Sequence, residues 1–165
     1  MSAQSVLQSG SITPGHIATF ATDGVIQDGG VVPVGNTILA RLLSADFNSI
    51  LDQSIQLPKA ITAFQITGIL ITNATLSLTT AAGGFYPTTS KGGTAIVAAG
   101  QVYSTLTAAT KLLSATLAGT VATTRYSSAN VDVISGYPTI YLSLTTAQGA
   151  ACTADVYILG VNLSA

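Results

Sequence analysis

The stretch Leu142–Gly149 reads LSLTTAQG, and Leu76–Gly83 reads LSLTTAAG, so seven of eight residues recur after sixty-six positions. In both copies leucine alternates with serine or threonine, which is the period-two pattern of a strand with one buried face. Threonine also favours strands because it is β-branched. Neither copy contains a charged residue, a cysteine or a histidine. The repeat therefore predicts architecture rather than chemistry, as two β-strands of one sandwich.

The chain after Pro58 continues this pattern. The segments ITAFQITGILITNATLSLTTA (61–81) and TIYLSLTTA (139–147) are rich in Ile, Thr, Leu and Tyr, as strands are. Turns are expected at these positions: Gly83-Gly84, Pro87, Gly92-Gly93, Gly100, Gly119, Gly136-Tyr137-Pro138 and Gly149. Short strands between such turns predict an all-β domain over 58–165, an antiparallel β-sandwich or jelly roll.

Residues 1–57 have a different composition and predict an extended N-terminal arm. Frequent glycine and proline exclude long elements, so only strand pieces near His16–Phe20 and Val25–Gln27 are expected. In TDGVIQDGG, the residues Asp23 and Asp28 each predict an Asp-Gly turn. The segment NTILARLLSADFNSILDQSI (36–55) spaces its apolar residues at three and four, which indicates either a short helix or a loop.

The composition is unusually poor in charge. Charged residues make up 7% of the 165 residues, against roughly 25% in an ordinary soluble domain, and glutamate and tryptophan are absent. A net charge of −1 offers no basic field for nucleic acid or an anionic membrane. The start of the chain lacks the pattern of a signal peptide. So few charges favour a protein whose surface is covered by copies of itself or by another partner.

Residues that could carry chemistry are scarce. His16 is the only histidine and Cys152 the only cysteine, so a zinc site or a catalytic triad has almost no material. In SKGGT, Lys91 precedes the glycines, which is the wrong order for a phosphate-binding loop and predicts a turn. Cys152 lies among small residues and is expected to be a small core residue. We expect no enzymatic activity, no cofactor, no metal and no small-molecule substrate.

Three segments together resemble a family of small virion structural proteins of tailed bacteriophages. They are TPGHIATFATDGVIQDGG (13–30), GILITNATLSLTTAAGGFYPTTSKGGTAIVAAGQVYSTLTAATK (68–111) and IYLSLTTAQGAACTADVYILGVNL (140–163). The family includes capsid decoration (cement) proteins and related fibre or spike proteins. The resemblance implies a sandwich or jelly-roll body with an N-terminal arm, made in the host cytoplasm. It also implies a homotrimer that binds the major capsid protein on the outer surface of the virion.

The resemblance places capsid docking in the arm. The candidate docking residues are Thr13, Pro14, Gly15, His16, Asp23, Gly24, Asp28, Gly29 and Gly30. The leading hypothesis is a capsid decoration protein. The alternative is a head fibre, tail fibre or spike protein that binds a host receptor or glycan, and it predicts an exposed aromatic or Asp-bearing pocket. A hydrolase that uses His16 is a third hypothesis.

Overall fold

The computed structural model describes residues 16–20, 26–31, 37–107 and 109–164. These residues form strands and one short 3-10 helix: β1 (His16–Phe20), β2 (Ile26–Val31), β3 (Thr37–Asp46), β4 (Gln53–Gln56), β5 (Ala63–Thr72), β6 (Ala82–Tyr86), β7 (Leu112–Ser114), the 3-10 helix (Val121–Thr123), β8 (Arg125–Ser127), β9 (Asp132–Ile134), β10 (Tyr137–Thr146) and β11 (Thr153–Asn162). None of the described residues belongs to a helix long and apolar enough to cross a membrane.

The strands after β2 form two antiparallel sheets. One sheet has the order β4-β10-β6 with β9 also paired to β10, and the other has the order β3-β11-β5-β7 with β8 also paired to β5. Every described pairing is antiparallel. The predicted all-β class is therefore confirmed, with the antiparallel pairing expected of a β-sandwich. The jelly-roll topology stays a prediction.

A single hydrophobic core takes side chains from both sheets. Phe85 and Leu142 from the first sheet and Phe64, Ile69 and Val156 from the second are all 0% exposed and belong to one cluster. Full burial of a side chain of this size stabilises a fold by about 1.5–3 kcal/mol. Cys152 is also part of this cluster, which confirms its prediction as a small core residue.

The two copies of the repeated phrase have different structures. The second copy begins inside β10, whereas Leu76–Thr80 of the first copy lies outside the strands, so the prediction of two strands is wrong for the first copy. The copies differ only at Ala82 and Gln148. The Gln148 side chain accepts hydrogen bonds from the backbone N–H groups of Thr80 and Ala81, each at 3.2 Å. The one residue that distinguishes the copies therefore anchors the first to the second.

The helix predicted in residues 36–55 is also wrong, whereas the alternative of a loop at Asn48, Ser49 and Asp52 is confirmed, since residues 47–52 connect β3 and β4. Residues 37–46 form strand β3, which pairs with β11 through two irregularities, between Ala154 and Val156 and between Ile158 and Leu159. Each bulge adds a residue to one strand and shifts the alternation of its side chains. The leucines therefore acquire three-and-four spacing in the sequence while the backbone stays extended.

The predicted boundary at residues 57 and 58 lies too late in the chain. Strands β3 and β4 belong to the two sheets of the body, and the chain divides into compact units at Met1–Val34 and Gly35–Ala165. The cause is the misassignment of β3, because a helix or loop at 36–55 left no reason to join this segment to the sandwich.

Gly83 and Gly84 do not form the predicted turn. They lie in β6, where a Cβ on Gly83 would overlap the Leu144 backbone and a Cβ on Gly84 would overlap the Val97 carbonyl. These glycines permit neighbouring chain segments to approach closely. The turns predicted at Gly92 and Gly136 are confirmed.

Candidate functional site

The predicted arm residues fall partly within the described chain. Thr13, Pro14, Gly15, Asp23 and Gly24 lie outside the described residues. His16 begins β1, and Asp28, Gly29 and Gly30 lie in β2.

The turn predicted at Asp28 is wrong, because this residue continues a strand. The β1–β2 register pairs Ala18 with Asp28 and His16 with Val31. One residue of β1 therefore faces two glycines of β2, which is the arrangement of a β-bulge. Glycine and aspartate are common in both features, so their sequence does not separate a turn from a bulge.

The outer face of the five-stranded sheet carries a group of apolar side chains among polar ones such as Gln65 and Ser114. Ile38 of β3 pairs with Leu159 of β11, and Leu70 of β5 pairs with Tyr157 of β11. Val161 lies two residues after Leu159 on β11. Directly opposed residues of antiparallel strands lie on the same face, and residues two apart along a strand share a face as well. Ile38 is 60% exposed, and the other four side chains are partly exposed. Together these five residues define the outer apolar face.

Charge enters the outer apolar face at two positions. Arg41 lies opposite Tyr157 on β3. Asp155 lies two residues before Tyr157 on β11 and accepts hydrogen bonds from Ser44 N–H and Asn73 Nδ2, each at 2.9 Å. Both bonds lower the pKa of Asp155, the bond from Asn73 more than the bond from Ser44. Slight burial acts in the opposite direction and does not outweigh them. The face thus offers one cation and one fixed anion beside aliphatic side chains.

A tight turn at Thr89–Gly92 follows strand β6 of the sheet β4-β10-β6. Gly92 N–H donates to the Thr89 carbonyl at 3.0 Å, and Ser90 and Lys91 have φ of 56° and 58°. Positive φ at both central residues is the geometry of a type I′ turn, which normally takes Asn and Gly there. Neither Ser nor Lys is suited to this conformation, so surrounding contacts must hold the turn in place.

Two carboxylates supply those contacts. Ser90 N–H donates to Asp52 Oδ2 at 2.6 Å, and Thr89 N–H donates to Asp132 Oδ2 at 2.9 Å. Asp52 also accepts a bond of 2.5 Å from the hydroxyl of Ser143, a side chain that is 0% exposed. Partial burial alone would raise the pKa of Asp52, but the bonds from Ser143 and Ser90 and the charge of Lys91 outweigh it and lower that pKa.

Tyr141 is buried beside this turn. Its hydroxyl has no hydrogen-bond partner of good geometry among the described residues. Burial raises the pKa of Tyr141 to about 12, assisted by the carboxylates of Asp132 and Asp52. The phenol is therefore neutral at physiological pH.

A cleft of about 500 Å³ opens beside Asp132. One wall is formed by the residues flanking the Thr89–Gly92 turn and the other by the 3-10 helix and the chain between β8 and β9. The lining combines hydroxyl, carboxylate and apolar groups: Pro87, Thr88, Gly93, Thr94, Thr120, Val121, Thr124, Tyr126, Ala129, Asn130, Val131 and Asp132. Its size is within the range of small-ligand sites, about 300–1,000 Å³.

Within the described ranges, no three His, Cys, Asp or Glu side chains group to hold a metal ion. Five aromatic side chains are buried, namely Phe85, Tyr86, Tyr103, Tyr126 and Tyr141. Tyr137 is 38% exposed and Tyr157 is partly exposed.

No family model, curated protein or solved structure matches the chain. The assignment of the outer apolar face and of the cleft therefore depends on geometry alone. Sequence reasoning did not single out Asp52 or Asp132, which lie eighty positions apart and meet only through the Thr89–Gly92 turn. The signal in the sequence was Ser90-Lys91 at the centre of a two-residue turn. Because these residue types are unfavourable at positive φ, contacts from other segments are needed to hold the turn.

Proposed function

We propose that the chain is a non-enzymatic structural protein of a phage virion. In this proposal it is a homotrimeric capsid decoration (cement) protein, which binds the major capsid protein and stabilises the outer capsid. It is made in the host cytoplasm and resides on the outer surface of the virion. The observation that carries the proposal is the outer apolar face on a chain with very few charges.

The outer apolar face is suited to contact between copies of the chain. Contiguous exposed apolar surface on a soluble protein marks interaction sites. The five side chains that define the face lie on three adjacent strands, so they form one continuous surface. Arg41 and Asp155 give each copy one charge of either sign on the same surface, and complementary charges set the register of an interface.

The N-terminal segment supplies the contact with the shell in this proposal. Residues 1–34 contain Asp23 and Asp28 and no lysine or arginine, so the segment is acidic and otherwise uncharged apart from His16. An arm that lies along a shell buries apolar surface worth about 25 cal/mol per Å². Ordering the arm and losing rigid-body freedom offset part of that gain. A trimer holds three arms at one site, and this multivalency raises the effective affinity.

The interface between copies is tested by Leu159→Lys, with Ser104→Lys as the matched control. Leu159 lies on the outer apolar face, whereas Ser104 is exposed in a turn outside the sheets. Native mass spectrometry of the unmodified chain and of Ser104→Lys should give a trimer, and Leu159→Lys should give a monomer. A monomeric unmodified chain, or the same oligomeric state for both variants, would contradict the proposed interface.

The contact with the shell is tested by deleting residues 1–34 and measuring binding to undecorated capsids. We expect binding to be lost while circular dichroism retains the β signal of the body. Undiminished binding by a folded deletion variant would exclude the arm as the docking element.

A further inference from the structure

We propose that the cleft beside Asp132 is a binding site for a neutral saccharide. This inference goes beyond capsid attachment, because it concerns a different surface and a different ligand class. It is carried by three observations on the described residues: the composition of the lining, the fixed position of Asp132 and the rigidity of both walls.

The lining matches the two kinds of surface that a sugar presents. Thr88, Thr94 and Thr120 offer hydroxyls that both donate and accept hydrogen bonds. The apolar part of the lining consists of Pro87 and Val121, which are buried, and Ala129, which is exposed and can contact the C–H groups of a sugar ring. Thr94 is exposed in the lining, so its hydroxyl is accessible to a ligand.

Asp132 is positioned to accept hydrogen bonds from ligand hydroxyls. A carboxylate has about four acceptor positions. Thr89 N–H occupies one of them at 2.9 Å and thereby fixes the orientation of the group. Hydrogen bonds from a hydroxyl to a charged acceptor are stronger than those between neutral groups.

Both walls of the cleft are held by hydrogen bonds before any ligand arrives. On one wall, the Thr89–Gly92 turn donates to Asp132 and Asp52. The bonds of the other wall lie within its own segment. The Thr124 hydroxyl donates to the Thr120 carbonyl at 2.9 Å. Asn130 accepts from Ser127 N–H at 2.7 Å and donates to the Arg125 carbonyl at 3.2 Å. A wall that is already ordered loses little entropy on binding.

The aromatic floor is fixed as well. The Tyr126 ring stacks on Phe64 with 5.5 Å between centroids and 18° between planes. Tyr126 is 4% exposed, so it contributes a rigid edge of the cleft rather than an open stacking platform.

The charge of the lining argues against other ligand classes. Asp132 is the only residue of the lining that carries a charge, and a single negative group repels phosphate and other anions. Calcium takes six to eight oxygen ligands, usually including several carboxylates. One carboxylate among hydroxyls and apolar groups fits an uncharged polyhydroxyl ligand best.

The test titrates the 15N-labelled full chain with glucose, galactose, mannose and N-acetylglucosamine, each followed by NMR. Shallow sugar sites bind with dissociation constants on the order of 1 mM, so the titration extends to about 50 mM. At least one sugar should shift amide resonances of residues 88–94 and 120–132. Shifts confined to other regions, or none with every sugar, would overturn the proposal. A response to calcium chloride without a response to any sugar would overturn it as well.

Matched variants separate binding from folding. Asp132→Asn and Thr94→Val should each weaken binding about tenfold, the loss expected for one hydrogen bond to a charged or well-placed partner. Thr105→Val, at an exposed threonine outside the cleft, is the matched control and should bind as the unmodified chain does. Equal affinity in all three variants would overturn the proposal, whatever the result with capsids.

Discussion

At the scale of single residues, Gly160 has less room for a side chain than the other glycines of strands β5, β6 and β11. It lies in β11 opposite Ile66, and a methyl group there would overlap the Gln65 carbonyl and the Leu39 side chain. Gly68 on the neighbouring strand is different, since its Cβ would meet Leu159 Cδ1 at 3.6 Å, an ordinary contact.

Gly160→Ala should therefore lower the free energy of unfolding by about 2–3 kcal/mol, as overpacking of a core does. Gly68→Ala, the matched control, should change it by less than about 0.5 kcal/mol. Urea denaturation of both variants measures the difference. Equal destabilisation of the two variants would contradict the close packing of Gly160 against Gln65 and Leu39.

Lys91 is strained for a different reason, because a non-glycine residue at φ 58° costs about 1–2 kcal/mol. Lys91→Gly removes this cost, and the greater freedom of glycine in the unfolded chain offsets part of the gain. We expect a net stabilisation of about 0.5 kcal/mol. Lys111→Gly, at a residue without positive φ, should instead destabilise. Thermal unfolding measures the stability of both variants. A change of stability with the same sign in Lys91→Gly and Lys111→Gly would contradict the turn geometry.

At the scale of elements, the Thr89–Gly92 turn is joined to strand β10 through Asp52. The carboxylate accepts from the turn on one oxygen and from buried Ser143 on the other. Removing Asp52 leaves both donors without this acceptor, and an unsatisfied buried donor costs about 1–3 kcal/mol.

A double-mutant cycle with Asp52→Ala and Ser143→Ala measures this coupling. Asp52→Ala should cost about 2 kcal/mol, and much less when Ser143 is already alanine, because no buried hydroxyl then loses its partner. Urea denaturation of the four proteins gives the coupling energy. A coupling near zero would mean that Asp52 does not join the turn to β10.

The elements also show why part of the fold was predictable from sequence. Alternation in Leu142–Thr146 identified a strand, although Ser143 between the two leucines is buried as well and the pairing of β10 with β6 shifts register between Leu144 and Thr146. The same letters at Leu76–Thr80 failed because their partner is the Gln148 side chain, a contact of long range. Strand β3 failed because bulges imitate helical spacing. The cleft was out of reach, since Asp132 and Thr94 belong to segments that only the tertiary fold brings together.

At the scale of the whole molecule, two carboxylates make stability depend on pH. The pKa values of Asp52 and Asp155 are both lowered in the folded chain. Such groups stabilise the fold fully above their unfolded pKa of about 3.9 and lose that contribution as the pH falls through the folded value.

We expect the urea midpoint to fall between about pH 6 and pH 3. In the double variant Asp52→Asn with Asp155→Asn, the fall should be smaller, although its stability at the higher pH is already reduced. Denaturation at both pH values checks this. An unchanged pH dependence in the double variant would assign acid sensitivity to other groups.

The molecule as a whole combines one hydrophobic core, built from both sheets, with a sequence in which only 7% of the residues are charged. That combination is the basis for the proposed assembly, in which the outer apolar face lies between copies and the arm binds a shell. Locating the chain in an electron-microscopy reconstruction of the intact particle tests this most directly. The account predicts trimeric density on the outer surface of the capsid. Density at the portal or tail, or a single copy standing free of the shell, would contradict it.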